Sequence, residues 1–243
     1  MENESKNFEE FITIYNELDE FMRKELNQDY WVSHSELIRR MAKTNKIFDI
    51  YKDELLSFAR LRNAIVHNPD KREAHPIAEP HDYIVMKYRK IRDNVLRPTR
   101  ALDIAVRSKN IYTASFDDKA LDVMAAMKEH GYSHIPVVED GRLVGIFSEN
   151  TIFSYIVNTG NLSLEKDVKV RQFSEFIPID KHQSETFAFV SRDALALEVE
   201  EMFAKKLRKG KRLAVVFITE TGDPREKVLG LVTVWDIAGY REE

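Results

Sequence analysis

From Phe8 onward the apolar residues Phe8, Phe11, Ile12, Tyr15, Leu18 and Met22 return every three or four positions, with acids and lysines between them. That spacing gives one apolar face on an otherwise polar helix. After Asp29-Tyr30-Trp31, Ser33 and Glu36 stand at capping-box spacing and open a second helical pattern through Leu37, Ile38 and Met41. A third runs unbroken through Ile47, Phe48, Tyr51, Leu55, Phe58, Leu61, Ile65 and Val66. It stops at His67-Asn68-Pro69, because the residue before a proline is pushed out of the helical region. Pro76 and Pro80 mark a loop, and Ile84 to Leu96 forms a fourth helical run ended by Pro98. Residues 1–97 are therefore expected to be a four-helix domain.

Beyond Pro98 the period changes. The short runs IYTAS, HIPVV, RLVGIF, TFAFV, LAVVFI and VLGLVTV have strand length and β-branched content, and they alternate with the helical stretches LDVMAAMKEH and LALEVEEMFAKKL. This half also repeats itself. Asp118-Lys119-Ala120-Leu121 aligns with Arg192-Asp193-Ala194-Leu195, Ile135-Pro136-Val137-Val138 with Leu213-Ala214-Val215-Val216, and Gly145-Ile146-Phe147-Ser148 with Gly230-Leu231-Val232-Thr233. A longer hairpin, TETGDPREK, lengthens the second copy. The chain is thus expected to be an α+β multidomain protein: a helical domain over 1–97, then a tandem α/β module over 98–243 whose repeats cover about 98–160 and 161–243.

Composition narrows the function classes. The 243 residues are 43% hydrophobic and 32% charged, enough for packed cores. A net charge of -4 argues against a protein built to coat nucleic acid. There is no cysteine, hence no disulfide, thiolate nucleophile or Cys-held zinc. No stretch approaches the roughly 20 apolar residues of a membrane span, and MENESKNFEE lacks the basic start and apolar run of a signal peptide, so a cytoplasmic chain without membrane contact is expected. The seven histidines are scattered; no metal site is expected, and there is no Walker-type loop, HExxH or Gly-x-Ser-x-Gly.

The repeated unit resembles the CBS domain, and the two copies together resemble a Bateman module. The most specific piece is Gly230-Leu231-Val232-Thr233-Val234-Trp235-Asp236, a strand running into the first turn of a helix, where free N–H groups and the dipole favour ribose or phosphate oxygens. The resemblance implies that Asp236 takes the ribose hydroxyls and that Thr233 contacts ribose or phosphate. It also implies that Thr113 brings backbone to the base, that Ser133 and His134 line the cleft, and that Arg212, in Lys211-Arg212-Leu213, grips phosphate with its forked guanidinium. The first copy departs from the pattern, with Thr151 where the acid should stand. The implied ligand is an adenine nucleotide, AMP, ADP or ATP, bound as a signal rather than as a catalytic cofactor.

Arg62-Asn63-Ala64-Ile65-Val66-His67 resembles the motif of HEPN domains, in which two such sites meet at a dimer interface and cleave RNA without metal. His67 would shuttle a proton at the 2′-hydroxyl and Arg62, with Asn63 beside it, would stabilise the phosphorane. On an ideal helix Arg62 and His67 diverge by about 140°, which favours a site shared by two chains. Two functions stay open: a homodimeric nucleotide sensor controlling a ribonuclease with RNA as substrate, or a non-catalytic sensor or scaffold acting through a partner.

Overall fold

The computed structural model describes residues 4–66, 78–160, 165–208 and 212–242. The chain divides into two compact units, Met1–Pro98 and Thr99–Glu243. Among the described residues no helix is long and apolar enough to cross a membrane.

The first unit holds helices α1 (Glu4–Leu26), α2 (His34–Met41), α3 (Lys46–Ile50), α4 (Lys52–Val66) and α5 (Asp82–Leu96). Phe11, Ile14, Leu18 and Met22 of α1 are fully buried and face Leu37 and Ile38 of α2, Phe58 of α4 and Tyr88 of α5 in one core. The rings of Phe11, Phe58 and Tyr88 meet at centroid distances of 4.7–6.1 Å. Ser33 caps α2, its side chain accepting from Glu36 N–H, but the Glu36 carboxylate turns to Arg40 (3.0 Å) one turn on rather than closing a reciprocal box. The unbroken third run expected from periodicity is two helices. Tyr51 (φ −99°, ψ 13°) bends the chain between α3 and α4 while its hydroxyl accepts from Asn94 of α5 (3.3 Å), so the described residues of this unit hold five helices where four were expected.

The second unit contains α6 (Ala101–Ile104), β1 (Val106–Arg107), α7 (Ala120–His130), β2 (His134–Glu139), β3 (Arg142–Ser148), α8 (Glu149–Thr159), β4 (Glu185–Ser191), α9 (Ala196–Arg208), β5 (Arg212–Thr219), β6 (Gly230–Val232) and α10 (Val234–Glu242). One sheet has the order β1-β6-β5-β4, with β4 parallel to β5 and the other pairs antiparallel; β2 and β3 form a hairpin. Asp140 and Gly141, both at positive φ, make its two-residue turn. The expected strand IYTAS shrinks to a single bridge, Ala114 to Val137. The next N–H groups are captured by carboxylates, Ser115 by Asp118 (2.7 Å) and Phe116 by Glu139 (2.6 Å), and Pro136 opposite has no N–H to give.

Each repeat lends its leading segment to the other. Ala101 N–H donates to Ala194 O (2.8 Å) and Ala196 N–H to Thr99 O (2.9 Å); in the mirror arrangement Ala120 N–H donates to Val168 O (2.8 Å) and Val170 N–H to Asp118 O (2.9 Å). The lent side chains complete the receiving cores. Ala101 packs with Val199, Leu213, Val216 and Val232, while Val170, Phe173 and Ile177 pack with Val123, Ile135, Val137 and Phe147.

The crossing explains the glycines of the repeated Gly-x-x-Ser/Thr run. A Cβ on Gly145 would stand 2.1 Å from the Ile177 carbonyl oxygen, which accepts from Ile146 N–H (2.8 Å); one on Gly230 would stand 3.0 Å from the Val106 carbonyl oxygen. Gly145→Ala should therefore destabilise the chain by about 1–3 kcal/mol or more through overpacking against backbone. Gly239→Ala, on α10 with open space around its Cβ, should change stability by no more than about 1 kcal/mol and in the favourable direction. Urea titrations of the two variants check this; equal midpoints would remove the crossing as the reason for Gly145.

Candidate functional site

A cavity of about 300 Å³ opens between the two repeats of the second unit. Five of the six nucleotide-binding candidates line it: Ser133 and His134 at the entry to β2, Arg212 at the start of β5, and Thr233 and Asp236 at the start of α10. Thr113 does not. It borders a separate cavity of about 140 Å³ with Pro136, Val138 and Leu143, and the preceding Ile111 and Tyr112 line the main cleft instead. Residues 111–115, expected as a regular strand, hold only the Ala114 bridge, and Thr113 borders this second cavity.

Asp236 is held in one orientation. Its Oδ2 accepts from both Thr233 N–H and Thr233 Oγ1, each at 2.7 Å, so the two motif residues cap α10 together. A half-buried carboxylate fixed in this way keeps lone pairs on its second oxygen for hydroxyl donors. The apolar part of the cleft comes from Ile111, Pro136, Val215 and Leu231, and Tyr112 and Tyr132 set their rings 6.2 Å apart at 30° on its wall. Tyr112 was not picked out from the sequence; an aromatic next to a cleft-lining position was the available signal. The arrangement offers an aromatic and apolar wall, an acid fixed at a helix start, and a guanidinium.

At the equivalent place the first copy carries Thr151, which lines a cavity of its own. Ser148 N–H donates to Thr151 Oγ1 (3.1 Å), Thr151 N–H to Ser148 Oγ (3.3 Å) and Thr151 Oγ1 to Ile146 O (3.2 Å), with both side chains 1% exposed. These groups satisfy one another. A cavity of about 480 Å³ runs along α8 past Asn150 and Phe153 to Lys181 and His182; it is larger than the main cleft but has no acid at the Asp236 position.

Below the start of β2 lies a buried charge cluster that joins residues far apart in sequence. His134 Nε2 stands 3.0 Å from Glu185 Oε1, and His182 Nδ1 stands 4.0 Å from Glu185 Oε2. Phe187 packs edge-on against both imidazoles, at 5.9 and 5.1 Å. Burial works against the Glu185 charge, yet His134, Asn150 and Arg212 outweigh it and hold the carboxyl below the usual glutamate range. Burial pushes His182 below the usual histidine range, opposed only in part by the Ile177 carbonyl and Glu185.

In the helical unit the structure separates the motif residues by environment. The Arg62 guanidinium carbon lies 5.0 Å from the centre of the Tyr15 ring, and Arg62 Nε is buried without a hydrogen-bond partner. Asn63 is exposed, Ile65 is in the core, and His67 lies outside the described residues. Tyr15 stacks on His34 (3.9 Å), whose Nδ1 meets Asp19 Oδ1 at 2.7 Å, and Arg23 Nε donates to Asp19 Oδ2 at 2.6 Å. Neither Asp19 nor His34 was singled out from the sequence. Among the described residues no cluster of three or more His, Asp or Glu side chains could hold a metal ion.

Residues 103–158 match the CBS domain family model. No curated protein matches the chain. Among solved structures, a signal-transduction protein with CBS domains from Burkholderia ambifaria aligns at 17% identity over 59% of this chain and 93% of its own, with a TM-score of 0.42. The CBS domain pair of protein MJ0100, solved with 5′-methylthioadenosine and S-adenosyl-L-methionine, aligns at 19% identity over 60% and 97%, TM-score 0.41. CBSX2 in complex with AMP aligns at 15% over 59% and 96%, TM-score 0.41.

The Asp19 cluster yields a stability prediction. Burial disfavours the Asp19 charge, but hydrogen bonds and charge from His34 and Arg23 win and hold its carboxyl below the usual value of 3.8. Its contribution is therefore complete above that unfolded value and is lost as pH falls through the lower folded one. Asp19→Asn should cost about 1.5–3 kcal/mol at pH 7, the range for hydrogen bonds to charged groups, and the gap to wild type should narrow below pH 4. Urea midpoints across pH 2–7 test it, and a gap that stays constant to pH 2 would contradict it.

Proposed function

We propose that the Thr99–Glu243 unit is a nucleotide-binding sensor whose ligand is an adenine nucleotide, and that occupancy of its cleft regulates what the helical unit does. The single observation that carries this is the Asp236 carboxylate, fixed through Thr233 at the start of α10 in the same cavity as Arg212. A cis-diol asks for an acceptor held in this manner, and a phosphate for a forked cation. Tyr112, Tyr132 and the apolar wall suit a planar base between them. The choice of adenine follows from the resemblance carried by Gly230–Asp236. One nucleotide per chain is expected, since Ser148 and Thr151 have spent their polar groups on each other.

We further infer a homodimer, supported by Phe153 and Val157, exposed one turn apart on α8. For the helical unit the non-catalytic reading is favoured over the ribonuclease, because Arg62 is committed to Tyr15 with its Nε buried. RNA cleavage by the purified chain that disappears in His67→Ala would reverse that choice.

AMP, ADP or ATP should raise the thermal midpoint of the full chain, because a ligand bound only by the folded state stabilises it by about 2.7 kcal/mol at one hundred times its Kd. Asp236→Ala should abolish the shift. Arg212→Ala should weaken AMP, ADP and ATP, by roughly ten-fold or more, while leaving adenosine nearly unaffected. Equal shifts from guanine and adenine nucleotides, or none from either, would rule out the adenine sensor; equal losses for adenosine and AMP would take Arg212 out of the site.

A further inference from the structure

The Glu185 carboxylate sits at the junction of the cleft and the protein interior. It is only 7% exposed, opens β4, and is register partner to Arg212, which opens β5. A buried carboxylate is costly unless a cation compensates it. The candidates on neighbouring elements are His134 on β2, His182 ahead of β4, and Arg212 on β5; of these His182 is kept neutral by burial. Among the described residues that line the cleft with His134 and Arg212, the other titratable groups are Asp236 on α10, tied to Thr233, and the phenols of Tyr112 and Tyr132.

The contact between His134 and Glu185 is close but not directional. At 3.0 Å the pair is within ion-pair range, yet His134 Nε2 and Glu185 Oε2 are both buried without a hydrogen bond of good geometry. The two groups touch, with the Nε2 edge of His134 turned to the carboxylate. His134 also lines the cleft.

We propose, in an extension that rests on nucleotide binding by this cleft, that Glu185 is a positioning residue for the phosphate end: it holds the Nε2 edge of His134 so that the imidazolium joins Arg212 on the phosphate, and phosphate binding takes up a proton. The charge balance drives it. Without phosphate, Arg212 helps to compensate Glu185. A bound phosphate draws the guanidinium to itself and adds negative charge of its own, and the proton on His134 restores the balance. The nitrogen protonated is on the imidazole ring, the proton comes from solvent, and no covalent step is involved. By linkage, the nucleotide then binds more tightly as pH falls, whereas adenosine does not.

The test is calorimetry on the full chain, titrated with AMP and with adenosine at pH 6 to 8 in two buffers of different ionisation enthalpy. The proteins compared are wild type, Glu185→Gln and His134→Gln. Wild type should take up protons with AMP but not with adenosine. Its AMP-to-adenosine affinity ratio should rise about ten-fold from pH 8 to pH 6 relative to His134→Gln, the equivalent of one pKa unit; the His134→Gln baseline absorbs the phosphate's own titration near pH 6. Glu185→Gln keeps the shape of the contact without its charge, so its proton uptake should fall to the His134→Gln level. AMP binding to wild type with the same proton count as His134→Gln, or full uptake in Glu185→Gln, would overturn the role of Glu185 while leaving the nucleotide site standing. Failure of wild type to bind either probe would bring down both.

Discussion

The backbone hydrogen bonds that exchange leading segments between the two repeats, Thr99–Ala101 against Ala194–Ala196 and Val168–Val170 against Asp118–Ala120, are what the second unit depends on. Each pair is short, internal and repeated about a pseudo-twofold, and each delivers apolar side chains that its recipient lacks. Without Val170, Phe173 and Ile177, the core around Val123, Ile135 and Phe147 would face water on one side. The close passage that results leaves no room for a Cβ at Gly145. The glycine opening each Gly-x-x-Ser/Thr run thus answers to chain crossing, while the residue that closes it answers to the cleft or, in the first copy, to the helix cap.

That division of labour accounts for the asymmetry of two copies built on one plan. At the start of α10 the capping acid keeps an oxygen in reserve; at the start of α8 the capping threonine keeps nothing, and both Ser148 and Thr151 are buried. Charge is distributed just as unevenly. The second copy supplies Arg212 and Asp236 to the cleft, the first supplies His134, and the two meet through Glu185, whose ionisation is sustained by neighbours from both repeats. Both copies therefore line the cleft, although Arg212, Thr233 and Asp236 all come from the second.

What could be read from sequence follows the range of the interactions involved. The α1 stripe is local, set by residues three and four apart, and Phe11, Leu18 and Met22 are buried as the pattern required. The bend at Tyr51 was invisible, because the apolar stripe runs straight through it and the hydrogen bond from Asn94 comes from a helix more than 40 residues away. IYTAS has the composition of a strand, but composition does not reveal that Asp118 and Glu139 take its N–H groups. In the cleft, Thr233 and Asp236 were legible through the Gly230–Asp236 motif, whose ends helix capping ties within one turn. Tyr112 was not singled out, and the approach of His134 and His182 to Glu185 was not foreseen, since only the tertiary fold brings those three together.

The exchanged leaders also bear on how the chain is made. During synthesis the first repeat leaves the ribosome before the residues that finish its core, and its own leader, Thr99–Ala101, waits longer still for Ala194 and Ala196. Neither half can reach its native burial by folding in order of appearance. The module must close late, through contacts of high sequence separation, so that the apolar faces of α7 and β2 stay uncovered in the meantime. A pair joined in this way gains or loses its structure as one cooperative body, so that any contact made across the cleft stabilises both copies at once.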